Sequence, residues 1–218
     1  MAAALGVATV AVSAAVGRDN GSVWLLSPRV VRIARVVIAP PEVAAPPGAL
    51  RLTDSAAFGT GHHPTTALCV EALEEALTIA VPDSVLDVGT GSGVLALSAL
   101  MIGVSRAVGL DIDADALSIA AEHARLNSLA DRLQLVLGGP DVVDGTWPLV
   151  VANVLAASLI EMAPVLVRRV GRRGRLILSG IPCSLESEVG QTYRRLGMRQ
   201  IRSETRGGWT VVVAEASW

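Results

Sequence analysis

The chain has 218 residues, 51% of them hydrophobic, which suits one sizeable core and excludes both a disordered chain and two full domains. A formal net charge of −2 argues against a broadly basic nucleic-acid surface. All 18 Lys+Arg residues are arginine, so a Walker phosphate loop, a pyridoxal Schiff base and the Tyr-x-x-x-Lys pair of short-chain dehydrogenases are excluded.

In chain order, the opening MAAALGVATVAVSAAVG is apolar but has no basic residue ahead of it, so it lacks the charged start of a secretory signal. It is also short for a spanning helix and reads as a buried strand or helix of a small N-terminal element. Residues 30–40 are strand-like, and the proline-rich PPEVAAPPG follows as a connector. Leu68 to Ala80 reads as a helix with Pro64 suited to its early turn. Paired signals then alternate: strand 84–88 and helix 92–102, strand 106–111 and helix 114–127. Strand 132–137 is followed by a loop, strand 148–152 by helix 155–170, and strand 175–179 by helix 184–196. RQIRSE and GWTVVVAE close the chain as two strands around a Gly-Gly turn. Such alternation implies a parallel sheet wrapped by helices, with the hairpin adding an antiparallel strand. Cys69 and Cys183 have neither metal nor redox spacing, which points to a reducing cytoplasmic setting.

Asp87 to Gly93 reads DVGTGSG, at the end of one apolar run and the start of another. A strand that breaks into glycines and re-enters as a helix can bring its backbone against a ligand where a Cβ would collide. A dinucleotide fingerprint, G-x-G-x-x-G, wants its last glycine where Val94 stands. G-x-G-x-G after an acidic residue is instead the usual first motif of S-adenosylmethionine (SAM) dependent methyltransferases. Asp111 ends the next strand, 22 positions after Gly89, close to the roughly 20 at which an acidic residue meets the adenosine ribose. Its carboxylate can accept from both ribose hydroxyls, although a solvated strand end would also place an acid there. Asp113 fits a helix cap, with Asp115 in the first turn of that helix.

Residues 57–66, AFGTGHHPTT, are close to an F-G-T-G-x-H-P-T-T signature, and GLDID (109–113), NVLA (153–156) and LSG (178–180) follow in order. From about residue 30 to 218 the chain resembles the family of ribosomal protein L11 methyltransferases, which are class I SAM-dependent enzymes. The resemblance implies an α/β fold: a Rossmann-like seven-stranded sheet, mostly parallel, with an antiparallel C-terminal hairpin strand and a short N-terminal element. It implies a division into residues 1–55, a shortened N-terminal element and linker, and 56–218, the methyltransferase domain. It further implies that Thr66, Gly89, Asp111 and Asn153 contact SAM, that Gly91 and Gly93 complete the same turn, and that Phe58 and His63 shape a lid. Thr66 would offer its hydroxyl and helix-start N–H groups to the methionine carboxylate. The family commonly has threonine where His62 stands, a departure that bears on substrate contacts.

Other clusters read as structural. His62, His63 and His123 lack metal-ligand spacing, and His123 falls in what reads as a surface helix. Arg168, Arg169, Arg172, Arg173 and Arg175 read as the solvated close of a helix. The tryptophans, Trp24, Trp147, Trp209 and Trp218, show no stacking pattern. Transfer from a sulfonium methyl asks the protein mainly to position and desolvate a neutral amine, whose N–H the side-chain carbonyl of Asn153 could accept. No general base stands out, and the proton is expected to leave to water.

The expectation is therefore a SAM-dependent N-methyltransferase acting on a protein amine, without direct nucleic-acid or membrane partners. Alternatives are a small-molecule acceptor, a non-catalytic SAM-binding or scaffold protein, and a dinucleotide oxidoreductase. Only about 50 residues precede AFGTG, where the family's ribosomal enzyme carries a separate recognition domain, so poor activity on isolated ribosomal protein L11 is expected.

Overall fold

The computed structural model describes residues 30–53 and 63–218. The apolar opening, Trp24, Phe58 and His62 lie outside the described residues. Seven strands form one sheet: β4 (Ser84–Val88), β5 (Arg106–Asp111), β6 (Leu133–Leu137), β7 (Trp147–Asn153), β8 (Val170–Pro182), β9 (Met198–Arg206) and β10 (Trp209–Ala216). Their order is β6-β5-β4-β7-β8-β10-β9, and β10 runs antiparallel to both neighbours while the ladder from β6 to β8 is parallel. This is the expected α/β architecture, seven strands with an antiparallel C-terminal hairpin strand.

The sheet is buried on both faces, so its central strands are apolar runs rather than alternating ones. Side-chain alternation divides them between two cores. Val85, Val151 and Ile177 face α1 (Pro64–Ile79) and α2 (Val94–Ile102). Leu86, Val150 and Leu176 face α4 (Ala156–Arg168) and α5 (Glu186–Arg195). The fifth described helix, α3 (Ala114–Leu126), packs beside β5 and β6.

Several bounds differ from the sequence reading. Residues 30–40 are not one strand but a hairpin, β1 (Val31–Ile33) and β2 (Val36–Ala39), turned at Ala34 with φ 50°. β3 (Leu50–Arg51) joins β2 in parallel, making a second, three-stranded sheet. Its Ile33, Ile38 and Leu50 share a core with α1 and α2. Arg35 ties the hairpin to α1, donating from Nε and from its backbone N–H to Glu74 at 2.6 and 2.9 Å. Helix α1 starts at Pro64, earlier than Leu68, because proline suits the first helical position and His63 caps it. The arginine cluster does not close a helix as a unit: Arg168 ends α4, whereas Arg172, Arg173 and Arg175 lie on β8. There the register against β7 jumps from Val170 to Arg175, and Arg173 takes φ 55°. Arg169 turns inward and donates from Nε to the Pro140 carbonyl at 2.8 Å.

Helices α4 and α5 are joined by the buried Tyr193, whose hydroxyl donates to the Leu159 carbonyl at 2.8 Å. Burial holds that phenol above its usual range, so it stays a donor. Tyr193→Phe keeps the ring and deletes the bond, and a loss of about 1 kcal/mol is expected. Urea unfolding of the two proteins checks this; equal midpoints would show that the bond adds nothing.

Candidate functional site

A cavity of about 440 Å³ opens at the carboxyl ends of β4, β5 and β7. From β4 the chain winds outward through β5 on one side and β7 on the other, so the cavity sits at the topological switch point, the usual ligand position in open α/β sheets. Two glycines let three strand ends meet there. Gly89 has φ 72°, and a Cβ on it would lie 2.3 Å from Val154 Cγ1. Gly180, just past the LS of β8, has φ 80°, and its Cβ would lie 2.1 Å from the Val154 carbonyl oxygen, a backbone atom that cannot give way.

The glycine turn is bonded from two sides. Gly89 and Thr90 both donate to the Leu110 carbonyl at 2.8 Å, which fastens the turn to β5. Gly91 N–H donates to Asp111 Oδ2 at 2.8 Å and Asp113 N–H to Asp111 Oδ1 at 3.0 Å. From inside, Asp87 Oδ2 accepts from the Thr90 hydroxyl at 2.8 Å and from Ala96 N–H, in the first turn of α2, at 3.1 Å. Asp87 is fully enclosed and its Oδ1 has no partner. Burial pushes its carboxyl up to about 6, against the two donors that favour the charged form, while the neighbouring Asp111 raises it further. Cys69, beneath it, is kept a thiol by burial.

On the opposite wall a hydrogen-bond chain orders an amide. His63 Nδ1 accepts from Thr65 N–H at 3.4 Å and lies 2.7 Å from the Thr65 hydroxyl, which can only donate to it. The same hydroxyl then accepts from Asn153 Nδ2 at 3.3 Å. That assigns the amide orientation: its nitrogen is engaged and its Oδ1 is buried without a donor. Trp209 stands edge-on to His63, with ring centroids 5.1 Å apart. Ile112, 83% exposed, and Leu155, 70% exposed, add apolar surface to the cavity wall.

Gly89, Gly91, Asp111, Asn153 and His63 all line this one cavity. Gly93 does not: it starts α2 with φ 80° and its Cα faces Ala120 of α3. Thr66 also stands behind the wall, its hydroxyl buried without a partner and its N–H bonded to the His63 carbonyl at 3.1 Å. Thr65 takes the wall position instead. His123, read as a surface residue, is fully buried; its helix packs through alanines, whose small faces leave little periodic signal. Thr65 and Gly180 fall within the quoted AFGTGHHPTT and LSG motifs without a role of their own, and Trp209 reads in the sequence as a tryptophan without a stacking pattern. Trp209 had a signal: the start of an antiparallel strand lies at the carboxyl ends of its parallel neighbours, here opposite Pro182. Among the described residues no group of His, Cys, Asp and Glu could hold a metal, and no helix is long and apolar enough to cross a membrane.

Residues 27–217 match the family described as ribosomal protein L11 methyltransferase (PrmA). A ribosomal protein L11 methyltransferase of Geobacter sulfurreducens is 42% identical over 164 residues, 75% of this chain and 53% of that protein. One from Pelobacter propionicus is 36% identical over 212 residues, 93% of this chain and 68% of that protein. The chain thus spans about half to two thirds of the length of these relatives. Among solved structures, the ribosomal protein L11 methylase of Lactobacillus delbrueckii subsp. bulgaricus superposes with a TM-score of 0.80 at 29% identity, covering 87% of this chain and 99% of that one. With its strand order, its glycine turn and the match over nearly all of its length, the chain belongs to the ribosomal protein L11 methyltransferase family.

Proposed function

We propose that the chain is a SAM-dependent N-methyltransferase acting on a protein amine, with ribosomal protein L11, named in its relatives, as the first acceptor to test. The observation that carries this reading is the buried, donor-less Oδ1 of Asn153 in the wall of a cavity that also holds Asp111 and the glycine turn. When bound, SAM would supply an electrophilic methyl on a sulfonium.

The residues fit that group. Asp111 has accepted one N–H on each oxygen, and the second lone pair of each remains for the two ribose hydroxyls. Gly89 and Gly91 leave the backbone bare beside the ligand, and Ile112 offers an apolar surface next to Asp111. Thr65 holds the wall position in this reading, with Thr66 packed behind it.

Nucleophilic attack requires a neutral amine, since an ammonium has no lone pair. Asn153 Oδ1 would accept one N–H of that amine and so aim the lone pair into the cavity. The His63–Thr65–Asn153 chain keeps the amide from turning its NH2 toward the acceptor. Val88, Val94, Leu95 and Trp209 give the cavity apolar walls, which disfavour the charged amine.

Calorimetry should show SAM and S-adenosylhomocysteine binding at one site per chain, and Asp111→Ala should weaken binding by about 1.5–3 kcal/mol. A folded protein giving no heat with either ligand would remove the reading. Asn153→Ala should lower kcat roughly 10- to 100-fold, and Thr65→Val less, because the amide is then free to flip. Radiolabelled SAM with ribosomal protein L11 and with whole lysate, followed by mass identification, tests the acceptor: label on nitrogen of a protein is expected, and methylation of oxygen or carbon sinks the assignment.

The turn also carries a pH dependence. Between the ordinary carboxyl value of 3.8 and about 6, folded Asp87 binds more protons than the unfolded chain does. Its contribution to stability is therefore present below that interval and lost as pH rises through about 6. Thermal melts of wild type and Asp87→Asn from pH 4 to 7 should show the wild type losing ground to the variant across this interval; parallel curves would mean that the carboxyl titrates normally.

A further inference from the structure

We propose that His123 is a positioning residue for the cavity, joining the glycine turn to the strap of residues 51–53 that leads in sequence into the FGTG signature. The proposal rests on the SAM reading above. His123 Nδ1 lies 2.8 Å from the Ser92 carbonyl, between Gly91 and Gly93, and its Nε2 lies 3.0 Å from Thr53 N–H and 2.8 Å from the Thr53 hydroxyl. A carbonyl only accepts and an amide N–H only donates, so both contacts are satisfied together by one species: the neutral ring with its hydrogen on Nδ1. A second proton would set Nε2–H against Thr53 N–H.

The ring belongs to a continuous face of α3. One turn before it, Ala120 meets Gly93, where an added Cβ would lie 3.2 Å from the Ala120 Cβ. One turn after it, Asn127 grips the strap by both backbone groups, accepting from Arg51 N–H and donating to the Arg51 carbonyl, each at 2.7 Å. His123 and, four positions on at the C-cap of α3, Asn127 thus hold Thr53 and Arg51 of the strap, replacing the strand that β3, only two residues long, lacks on that side. Arg51 sends its guanidinium back to the carbonyls of Pro40 and Val43, at 2.9 and 2.6 Å, which fixes the other end of the connector.

Packing alone does not ask for histidine here. Ala116, Ala120 and Ala124 fill the rest of the buried face, and a buried imidazole is costly unless both nitrogens find partners. One partner, Ser92, lies in the glycine turn beside Gly91, a wall residue, and the other, Thr53, ends the strap that precedes the signature in sequence. Burial holds the ring below its usual range, against the Ser92 carbonyl and, among charged groups, Glu122 on its own helix, both of which favour the proton. The strap brings Arg51, turned away, and the turn brings Asp87 and Asp111, each bonded within it.

The test compares wild type with His123→Phe and Asn127→Ala, by calorimetry with S-adenosylhomocysteine and by amide hydrogen exchange. His123→Phe should weaken binding about tenfold, the scale of one buried hydrogen bond, and leave kcat at saturating SAM within about twofold. Exchange should rise at Thr53 in that variant and at Arg51 in Asn127→Ala. Acidification below the ordinary histidine range should close the gap between wild type and His123→Phe, because the protonated ring also releases Thr53. A folded His123→Phe with wild-type affinity and a protected Thr53 amide overturns the proposal while leaving the SAM reading intact. If His123→Phe does not fold, unchanged affinity and an unchanged Arg51 amide in Asn127→Ala overturn it instead. A wild type that binds no S-adenosylhomocysteine overturns the SAM reading, and the proposal with it.

Discussion

The cavity depends on a buried carboxylate that braces a backbone turn. Asp87 stands one residue before the end of β4 with no solvent around it, yet one of its oxygens holds both Thr90, within the turn, and Ala96, at the start of α2. A carboxylate at a helix start is favoured by the unpaired N–H groups there. The same burial penalises its charge and leaves Oδ1 unpartnered. The brace is therefore held in a compromise, strong enough to shape three successive left-handed glycines but short of full ionisation near pH 6. A cationic group bound above the turn would relieve that compromise, since a nearby positive charge favours the ionised carboxyl.

From this brace the geometry spreads along the strand ends. Leu110 accepts from Gly89 and Thr90, which fixes β5 relative to β4 and so fixes where Asp111 stands. Gly89 and Gly180 both close upon Val154, which draws β7 and β8 in and brings Asn153 to the cavity. The antiparallel β10 completes the enclosure. Because it runs against its neighbours, its first residue, Trp209, arrives at the end of the sheet where the parallel strands finish.

What was legible in the sequence follows from which features are local. The glycine turn, Asp111 and Asn153 each sit at the end of a continuous apolar run, so strand periodicity alone places them on one edge of a sheet. The C-terminal hairpin was legible from its Gly-Gly turn. The hairpin of residues 31–39 was not, because its turn is Ala34–Arg35, without glycine or proline, and Ala34 adopts a positive φ held by tertiary bonds from Arg35 to Glu74. Whether Thr65 or Thr66 faces the cavity depends on how His63 caps α1, a matter of one residue in helix phase that no periodicity of the segment resolves. His123 escaped for a related reason: a helix face made of alanine carries too little hydrophobic contrast to reveal which side is buried.

The strap of residues 51–53 and the glycine turn meet on α3, and the division of labour there is chemical. Alanines let the turn approach closely, while His123 and Asn127 supply directed hydrogen bonds to a strap that has no strand partner on that side. Apolar contact would hold the strap against the helix but would tolerate sliding along it, since dispersion is nearly direction-free. Hydrogen bonds to successive backbone groups do not tolerate a slip of one residue, because each donor would then face the wrong atom. Register at Arg51 and Thr53 is what these bonds fix. A slip there would shift Arg51 and Thr53 by about 3.3 Å, more than the tolerance of the hydrogen bonds that hold them.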